Sequence, residues 1–204
     1  PQIVERLSGK SFTEFLDAEF YKPLGASALT YNPLDRFPKE QIVPTELDNY
    51  YRFQLIQGTV HDESAAVLGG ISGNAGLFAS ADDLAKLMQM YLQMGTYGGK
   101  QYVSEATMKE FTRAQFPQTK NRRGLIFDKP SLNLDSLKPA EAYPCPEASP
   151  ESFRHSGFTG TFVWMDPKCG LMYIFLSNRV CPTRNNNLIS DLNVRTEILS
   201  TVYK

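Results

Sequence analysis

The segment Arg154–Thr161 holds the residues whose types and spacing could do chemistry. It reads Arg-His-Ser-Gly-Phe-Thr-Gly-Thr, so His155 and Ser156 are adjacent and stand just before Gly157. An imidazole titrates near neutral pH, and a hydroxyl both donates and accepts hydrogen bonds. The pair could therefore bind a substrate and hold a proton. The other interpretation is structural, with His155 a strand histidine whose ring bonds a backbone carbonyl.

Metal and redox chemistry find little support in the sequence. The chain has two histidines, His61 and His155, which are far apart and exclude a multi-histidine metal centre. Its three cysteines show neither Cys-x-x-Cys spacing nor an even count. We predict ordinary thiols, with one structural disulfide as the alternative, and no metal or cofactor. The cysteines are Cys145, Cys169 and Cys181.

The composition is that of a globular domain. The chain has 204 residues, of which 42% are hydrophobic, and a formal net charge of -1. This balance gives no electrostatic reason to bind nucleic acid or an anionic membrane. No apolar run approaches the ~18 residues of a membrane helix, so we expect no membrane span. The start at Pro1, without a leader segment, is what we expect of a cut fragment.

Helix signals mark the first part of the chain. Ser11–Glu14 has the pattern of a capping box, and apolar residues after it share one helical face. Gly9 follows a short apolar pattern typical of the end of an earlier helix. Residues 26–60 are proline-bearing and weakly periodic, which predicts little regular structure.

The middle of the chain begins with a glycine-rich segment, Leu68–Phe78. It contains neither of the usual phosphate-binding glycine patterns, and no convincing strand precedes it, so we do not expect nucleotide binding. Ser80 and Ser104 are each positioned to start a helix. Residues 117–152 are rich in proline and polar residues and predict a surface loop.

The end of the chain predicts a small sheet with a covering helix. Three β-rich runs are separated by glycine- and proline-containing turns, which favours antiparallel strands. One amphipathic helix, carrying Leu188, Leu192, Leu199 and Val202, should follow them. The predicted strands are Arg154–Phe158, Thr161–Met165 and Leu171–Ser177.

Taken in order, these segments resemble the serine β-lactamase and penicillin-binding-protein superfamily. His155–Gly157 is similar to the third motif of that family, Lys-Thr-Gly or His-Ser/Thr-Gly on a strand beside an acyl-transfer site. Ile3–Phe12 with Phe20–Gly25 resembles the helix pair that follows the second motif of the family. Gly76–Ala85 is similar to a segment of class C β-lactamases and of related esterases and D,D-peptidases. The resemblance implies an α+β fold of the β-lactamase/transpeptidase type, with C-terminal antiparallel strands and covering helices. Residues 1–204 would be the C-terminal part of one such domain, without its N-terminal half.

The resemblance also implies roles for the strand residues. His155 stands where much of the family has lysine, and would orient the proton network of the nucleophile and the substrate carboxylate. Ser156 would hydrogen-bond the substrate, and Gly157 would let the substrate backbone lie against the strand. The backbone N–H of Phe158 would donate to the oxyanion. Histidine in place of lysine favours esterase, amidase or peptidase activity over penicillin hydrolysis.

Two other polar clusters carry weaker expectations. His61, Asp62 and Glu63 are consecutive, and we favour a turn in which Asp62 bonds local backbone over a catalytic role. Thr183 and Arg184 follow the last strand, where the resemblance implies contacts with a substrate carboxylate. The alternative for Arg184 is a solvated loop residue.

Two motifs of this chemistry are absent from the chain. We find no Ser-x-x-Lys, which would supply the nucleophile, and no Tyr-x-Asn-type triplet. We therefore expect the C-terminal part of an extracytoplasmic bacterial serine hydrolase that cleaves an ester or amide, such as a cell-wall peptide, through an acyl-enzyme. The chain itself should be inactive. The alternatives are a non-catalytic module that binds a peptide or glycan and an unrelated α/β interaction domain.

The absent half also predicts uncovered apolar surface. Its helix and strands would share a core with the predicted sheet, so some residues of that sheet and of the final helix should be partly exposed. Self-association or a retained upstream piece should cover them. The candidate residues are Val163, Met165, Ile174, Leu192 and Leu199.

Overall fold

The computed structural model describes residues 1–204, which form two compact units. The first unit comprises Pro1–Leu87 and Ser177–Asn186, and the second comprises Met88–Leu176 and Asn187–Lys204. Helices and antiparallel strands are both present, which confirms the α+β prediction. The assignment of all residues to one domain stays a prediction.

Short helices and one small hairpin build the first unit. The capping box is present as predicted, because Ser11 accepts from the N–H of Glu14 while the Glu14 carboxylate accepts from the N–H of Ser11. Gly9 ends the preceding helix in the left-handed conformation, with φ of 69°. The elements are α1 (Gln2–Ser8), α2 (Phe12–Leu16), a π-helical turn (Asp17–Tyr21), β1 (Glu46–Asp48), β2 (Gln54–Ile56), α3 (Glu63–Val67) and the start of α4 (Ala81–Leu92).

The hairpin β1–β2 is the regular structure that the sequence did not predict in residues 26–60. Its burial pattern is inverted, since Glu46 and Asp48 are buried while Leu47 is exposed. The Asp48 carboxylate accepts from the backbone N–H groups of Tyr50, Tyr51 and Arg52, at 2.8, 3.0 and 3.0 Å. Burial alone would raise the pKa of Asp48, but these donors outweigh it and lower the pKa to about 2. Hydrogen bonds to a buried carboxylate, rather than an apolar contact, therefore stabilise this turn.

A three-stranded antiparallel sheet dominates the second unit. Its strands, in spatial order, are β5 (Phe153–Ser156), β6 (Phe162–Asp166) and β7 (Leu171–Phe175). His155 pairs with Val163, which pairs with Ile174. The three predicted strands are confirmed, with ends that differ by one or two residues. The remaining elements of this unit are β3 (Thr96–Tyr97), β4 (Lys100–Gln101), α5 (Glu105–Thr112), α6 (Leu188–Asp191) and α7 (Val194–Tyr203).

The sheet packs against the C-terminal helix through an aromatic cluster. Trp164 and Leu199 are fully buried, and Phe162 lies against Trp164 with its ring nearly parallel. The Trp164 ring N–H donates to the Tyr203 hydroxyl at 2.7 Å, and that hydroxyl donates to the Asp166 carboxylate at 2.7 Å. This chain of bonds anchors α7 to β6.

The predicted single C-terminal helix is wrong, because it is broken into α6 and α7. Asn193 lies between them in the left-handed conformation, with φ of 52°. Asparagine tolerates that region better than most residues with a side chain. The apolar spacing runs through the break, and for this reason periodicity alone did not reveal it.

The loop 117–152 is also not simply a surface loop. It holds only short 3-10 turns, as expected for a segment with little regular structure. Yet Asp128, Lys129, Cys145 and Ser149 in it are buried. Burial lowers the pKa of Lys129 to about 8, although the nearby Asp166 acts in the opposite direction. The Ser149 side chain donates to Asp166, so this loop forms part of the core of the second unit.

The predicted helix starts at Ser80 and Ser104 are confirmed by side-chain bonds to the first turns of α4 and α5. No helix combines the length and apolar character needed to cross a membrane. All three cysteines are free thiols, as predicted.

The expectation that this set includes partly uncovered residues is met by three of its five members. Leu192 is 65% exposed, Val163 and Ile174 are half-buried, and Met165 and Leu199 are buried. In its sheet, β7 pairs with β6 alone. Self-association stays a prediction.

Candidate active site

The strand β5 presents His155 and Ser156 at an accessible end of the sheet. Both residues are exposed, and successive side chains on a strand point to opposite faces. His155 therefore shares a face with Val163, its partner on β6. The predicted strand position is confirmed, and His155 does not lie in an apolar core. An imidazole and a hydroxyl on opposite faces of one exposed strand end can each contact a bound molecule.

A tight turn follows the strand and explains Gly157. The Gly157 N–H donates to the Thr161 carbonyl at 2.9 Å, and the Gly160 N–H donates to the Gly157 carbonyl at 3.1 Å. A Cβ on Gly157 would lie 2.4 Å from Thr161 Oγ1, closer than real contacts allow. A larger residue at this position would therefore require the Thr161 side chain to move. Phe158, at the turn, is 60% exposed.

Arg154 organises the other face of the strand, and sequence reasoning missed it. Its Nη1 donates to Ser156 Oγ at 3.2 Å, and its Nη2 donates to the Asp128 carboxylate. Asp128 also accepts from Arg122. Burial would raise the pKa of Asp128, but the guanidinium groups of Arg154 and Arg122 outweigh it and lower that pKa. The Ser156 hydroxyl oxygen is therefore held by a cation that is itself fixed by a carboxylate.

The surroundings of His155 favour its neutral form. Desolvation by the packed strand lowers its pKa, and the positive charges of Arg123 and Arg154 lower it further. The negative charge of Asp128 acts in the opposite direction but does not offset these effects. At neutral pH the ring can accept a hydrogen bond at one nitrogen and donate at the other.

We expect the Arg123→Ala variant to raise the pKa of His155, because it removes a nearby positive charge that disfavours the imidazolium. A proton NMR titration of the ring resonances measures this directly, since the chain has only two histidines. The wild-type chain, titrated under the same conditions, is the control. An unchanged His155 titration would contradict the electrostatic assignment.

A second polar cluster lies in the first unit, around Glu46. The Arg184 Nη2 lies 2.8 Å from Glu46 Oε2 and 2.9 Å from Glu63 Oε1. His61 Nε2 lies 2.7 Å from Glu46 Oε2. Burial would raise the pKa of Glu46, but the bonds from Arg184 and His61 outweigh it and lower that pKa. The bond to Glu46 raises the pKa of Arg184.

The other residues for which the sequence predicted a role, Asp62, Thr183 and Arg184, belong to this cluster or adjoin it in sequence. Asp62 accepts from the Ala65 N–H at 2.7 Å and caps α3, so the turn interpretation is confirmed. Arg184 donates hydrogen bonds to Glu46 and lies within ion-pair distance of Glu63, which gives it a structural role that sequence reasoning missed. Thr183 is exposed, and its hydroxyl accepts from the Asn185 N–H. Substrate contacts by Thr183 and Arg184 stay predictions.

The described residues offer no evident metal centre. Among residues 1–204, no three side chains of the His, Cys, Asp or Glu types lie where they could jointly hold a metal ion.

The chain is similar in sequence to a known protein family. The sequence model of the Beta-lactamase family matches residues 2–194. The chain belongs to this family. A relative from Escherichia coli O157:H7, whose provisional name is D-alanyl-D-alanine carboxypeptidase, is 33% identical over 203 residues. The match covers 91% of this chain and 45% of that relative. A Salmonella schwarzengrund protein with the same name is 33% identical over 194 residues, covering 87% of this chain and 42% of its own length.

Solved structures of other proteins have the same fold. A penicillin-binding-protein homologue from Caulobacter crescentus superposes with a TM-score of 0.55 at 19% identity, covering 87% of this chain and 49% of its own. Simvastatin synthase from Aspergillus terreus superposes with a TM-score of 0.61 at 16% identity. The match covers 99% of this chain and 52% of the synthase chain. The β-lactamase-type fold is therefore confirmed. The chain spans about half the length of these relatives.

Proposed function

We propose that this chain supplies the C-terminal part of a serine hydrolase that cleaves an amide bond in cell-wall peptides, with a D-alanyl-D-alanine peptide as the substrate class. The observation that carries the proposal is the strand end at which His155 and Ser156 are exposed beside the Gly157 turn. The names of the relatives support the substrate class. A cell-wall substrate would place the protein outside the cytoplasm.

The proposed mechanism is acyl transfer. A serine outside the described residues attacks the peptide carbonyl, the C-terminal amine leaves with a proton, and water then hydrolyses the acyl-enzyme. The neutral His155 takes part in the proton network beside the nucleophile. Ser156, whose oxygen accepts from Arg154, turns its own proton towards the substrate. The N–H of Phe158 donates to the oxyanion that forms at the carbonyl.

The isolated chain should be inactive, because a serine acyl-enzyme needs an activated nucleophile and the chain has no Ser-x-x-Lys. A fluorescent penicillin and a fluorophosphonate probe should therefore leave it unlabelled.

A chimera tests the proposed site itself. In the Escherichia coli relative, the segment that matches this chain is replaced by residues 1–204. We expect the chimera to release D-alanine from a D-alanyl-D-alanine peptide, and His155→Ala to lower its kcat/KM by about 100-fold, the order of one acid–base contribution. Lys100→Ala, on an exposed strand residue, is the matched control and should leave activity unchanged. Circular dichroism confirms folding.

A folded, active chimera that tolerates His155→Ala would contradict the assigned role. A folded chimera that binds the peptide without releasing D-alanine would favour a non-catalytic binding module.

A further inference from the structure

A cavity in the first unit lies among residues that the proposed hydrolase site does not use. Its volume is about 240 Å³. One wall comes from α2 and the π-helical turn, a second from the loop that follows Leu29, and a third from the glycine-rich segment. The residues that line it are Thr13, Asp17, Tyr21, Thr30, Tyr31, Asn32, Asp35, Arg36 and Ile71.

The helical wall places polar groups at regular spacing. Thr13, Asp17 and Tyr21 are each four residues apart, so their side chains lie on one helical face. The helix widens to π geometry over Asp17–Tyr21, a local feature that is frequent at functional sites. Tyr21 is buried while Asp17 is half-buried. The wall therefore presents a hydroxyl, a carboxylate and an aromatic ring in succession.

The opposite wall explains the glycine-rich segment. Asn32 is in the left-handed conformation, with φ of 45°, and its amide donates to the Gly69 carbonyl at 3.2 Å. Gly70 has a φ of 84°, and a Cβ there would lie 2.4 Å from Asn32 Oδ1, so both the backbone conformation and the close approach favour glycine. The segment closes onto Asn32 and brings Ile71 to the cavity. These glycines shape a wall rather than a phosphate loop.

The Tyr31 ring is held in place at the same wall. Its hydroxyl donates to the Ser72 carbonyl at 3.2 Å, and its ring meets Phe12 edge to face with centroids 5.8 Å apart. Burial raises the pKa of Tyr31, so the phenol is neutral at physiological pH. A fixed neutral aromatic ring can attract a cation to its face.

The cavity has hydrogen-bonding capacity that the protein does not use. The carboxylates of Asp17 and Asp35 and the hydroxyl of Thr13 form no hydrogen bond or ion pair with any other residue. Arg36 donates one bond, to the Ser27 carbonyl at 3.0 Å. Two carboxylates against one guanidinium leave the lining net negative. A carboxylate only accepts hydrogen bonds, so its natural partner is a cationic donor.

We propose that this cavity binds a small organic amine. A protonated amine donates three hydrogen bonds and carries the charge that two carboxylates attract. The rings of Tyr21 and Tyr31 suit both the cation and its alkyl chain. A neutral alcohol of the same shape lacks the charge, and a carboxylate is repelled. The cavity is smaller than the roughly 300–1,000 Å³ of pockets for drug-sized ligands, which restricts it to a small molecule.

An NMR titration with the full chain tests this inference. Cadaverine is the probe, and the alcohol and acid of the same chain length, pentanediol and glutarate, are the matched comparisons. We expect saturable shifts at the backbone amides of Tyr31 and Ile71 with cadaverine only. Added salt should weaken this binding, because Asp35 is exposed and its charge is screened.

Isosteric variants test whether the carboxylates of Asp17 and Asp35 bind the amine. The Asp17→Asn, Asp35→Asn double variant should bind cadaverine at least about tenfold more weakly, as expected when both charge partners are lost. Asp35→Asn alone tests the site without altering a half-buried residue. Asp135→Asn, at an exposed position in the second unit, is the control and should bind like wild type.

Three results would overturn the inference: no saturable binding of cadaverine to wild type, equal binding of pentanediol or glutarate, or unchanged affinity in the Asp17 and Asp35 variants. The readout is ligand binding, so the outcome is independent of hydrolase activity.

Discussion

Replacing Arg184 with alanine is expected to lower the free energy of unfolding of the first unit by about 3 kcal/mol. The Glu46 side chain is only 3% exposed and accepts from Arg184 Nε and Nη2 at 2.9 and 2.8 Å. Removing the guanidinium leaves a buried carboxylate whose remaining side-chain contact is His61 Nε2, at 2.7 Å. The loss comes chiefly from that stranded charge, because desolvation is no longer offset by an ion pair.

Urea unfolding followed by circular dichroism measures this loss. The control is Lys109→Ala, which breaks the Glu105–Lys109 pair whose side chains are 63% and 68% exposed. That exposed pair should contribute no more than about 0.5 kcal/mol. Combining Arg184→Met with Glu46→Leu should restore part of the stability, because the Glu46 carboxylate is then no longer buried without its partner, and the remaining loss reflects the Glu63 contact with Arg184.

A loss below about 1 kcal/mol for Arg184→Ala would show that this pair behaves like a surface pair. It would then leave the predicted contact with a substrate carboxylate as the main role of Arg184. A loss of about 3 kcal/mol would show that the main role of Arg184 is to stabilise the first unit.

Trp164→Ala should lower the free energy of unfolding of the second unit by about 4 kcal/mol, the usual cost of truncating a large buried aromatic side chain. Trp164 is 0% exposed and packs in the cluster that includes Phe162 and Leu199. The variant creates a cavity between β6 and α7. It also removes the donor to the Tyr203 hydroxyl, which weakens the anchor of the last helix.

Two variants separate packing from hydrogen bonding at this position. Tyr203→Phe keeps the ring but removes the hydroxyl that bridges Trp164 and Asp166, and should cost about 1 kcal/mol. Phe116→Ala is the control on an aromatic residue that is 55% exposed, and should change stability by less than about 0.5 kcal/mol. Urea unfolding by circular dichroism again supplies the values. Equal losses for Trp164→Ala and Phe116→Ala would show that the cluster does not stabilise the second unit.

The sequence was informative where bonds join residues that are close along the chain. Ser11 and Glu14 predicted a helix start because a capping box spans one turn. The Asp62 cap and the hairpin of β6 and β7 are local in the same sense. The His155–Gly157 motif, read with its flanking strands, predicted the family and the fold.

Local patterns failed where a distant partner decided the conformation. The polar and apolar residues of β1 do not follow the pattern of a half-buried strand, because Glu46 points inward. It does so because Arg184, 138 positions away, binds it. In the same way, Arg154 is an ordinary strand residue in sequence until Asp128 and Ser156 are placed around it. Periodicity also missed the break at Asn193, since the backbone turned without changing the apolar spacing.

By itself, therefore, the sequence determined the helix starts, the three strands of the sheet, the accessible His155–Ser156 strand and the family to which the chain belongs. Only the tertiary structure decided which buried charges pair, as in the contact of Glu46 with Arg184, and that Asp17 and Asp35 line one cavity. The physical reason is the separation along the sequence of the residues that interact. Caps, turns and alternation are set by neighbours a few residues apart, whereas ion pairs and cavities depend on segments that only the folded chain brings together.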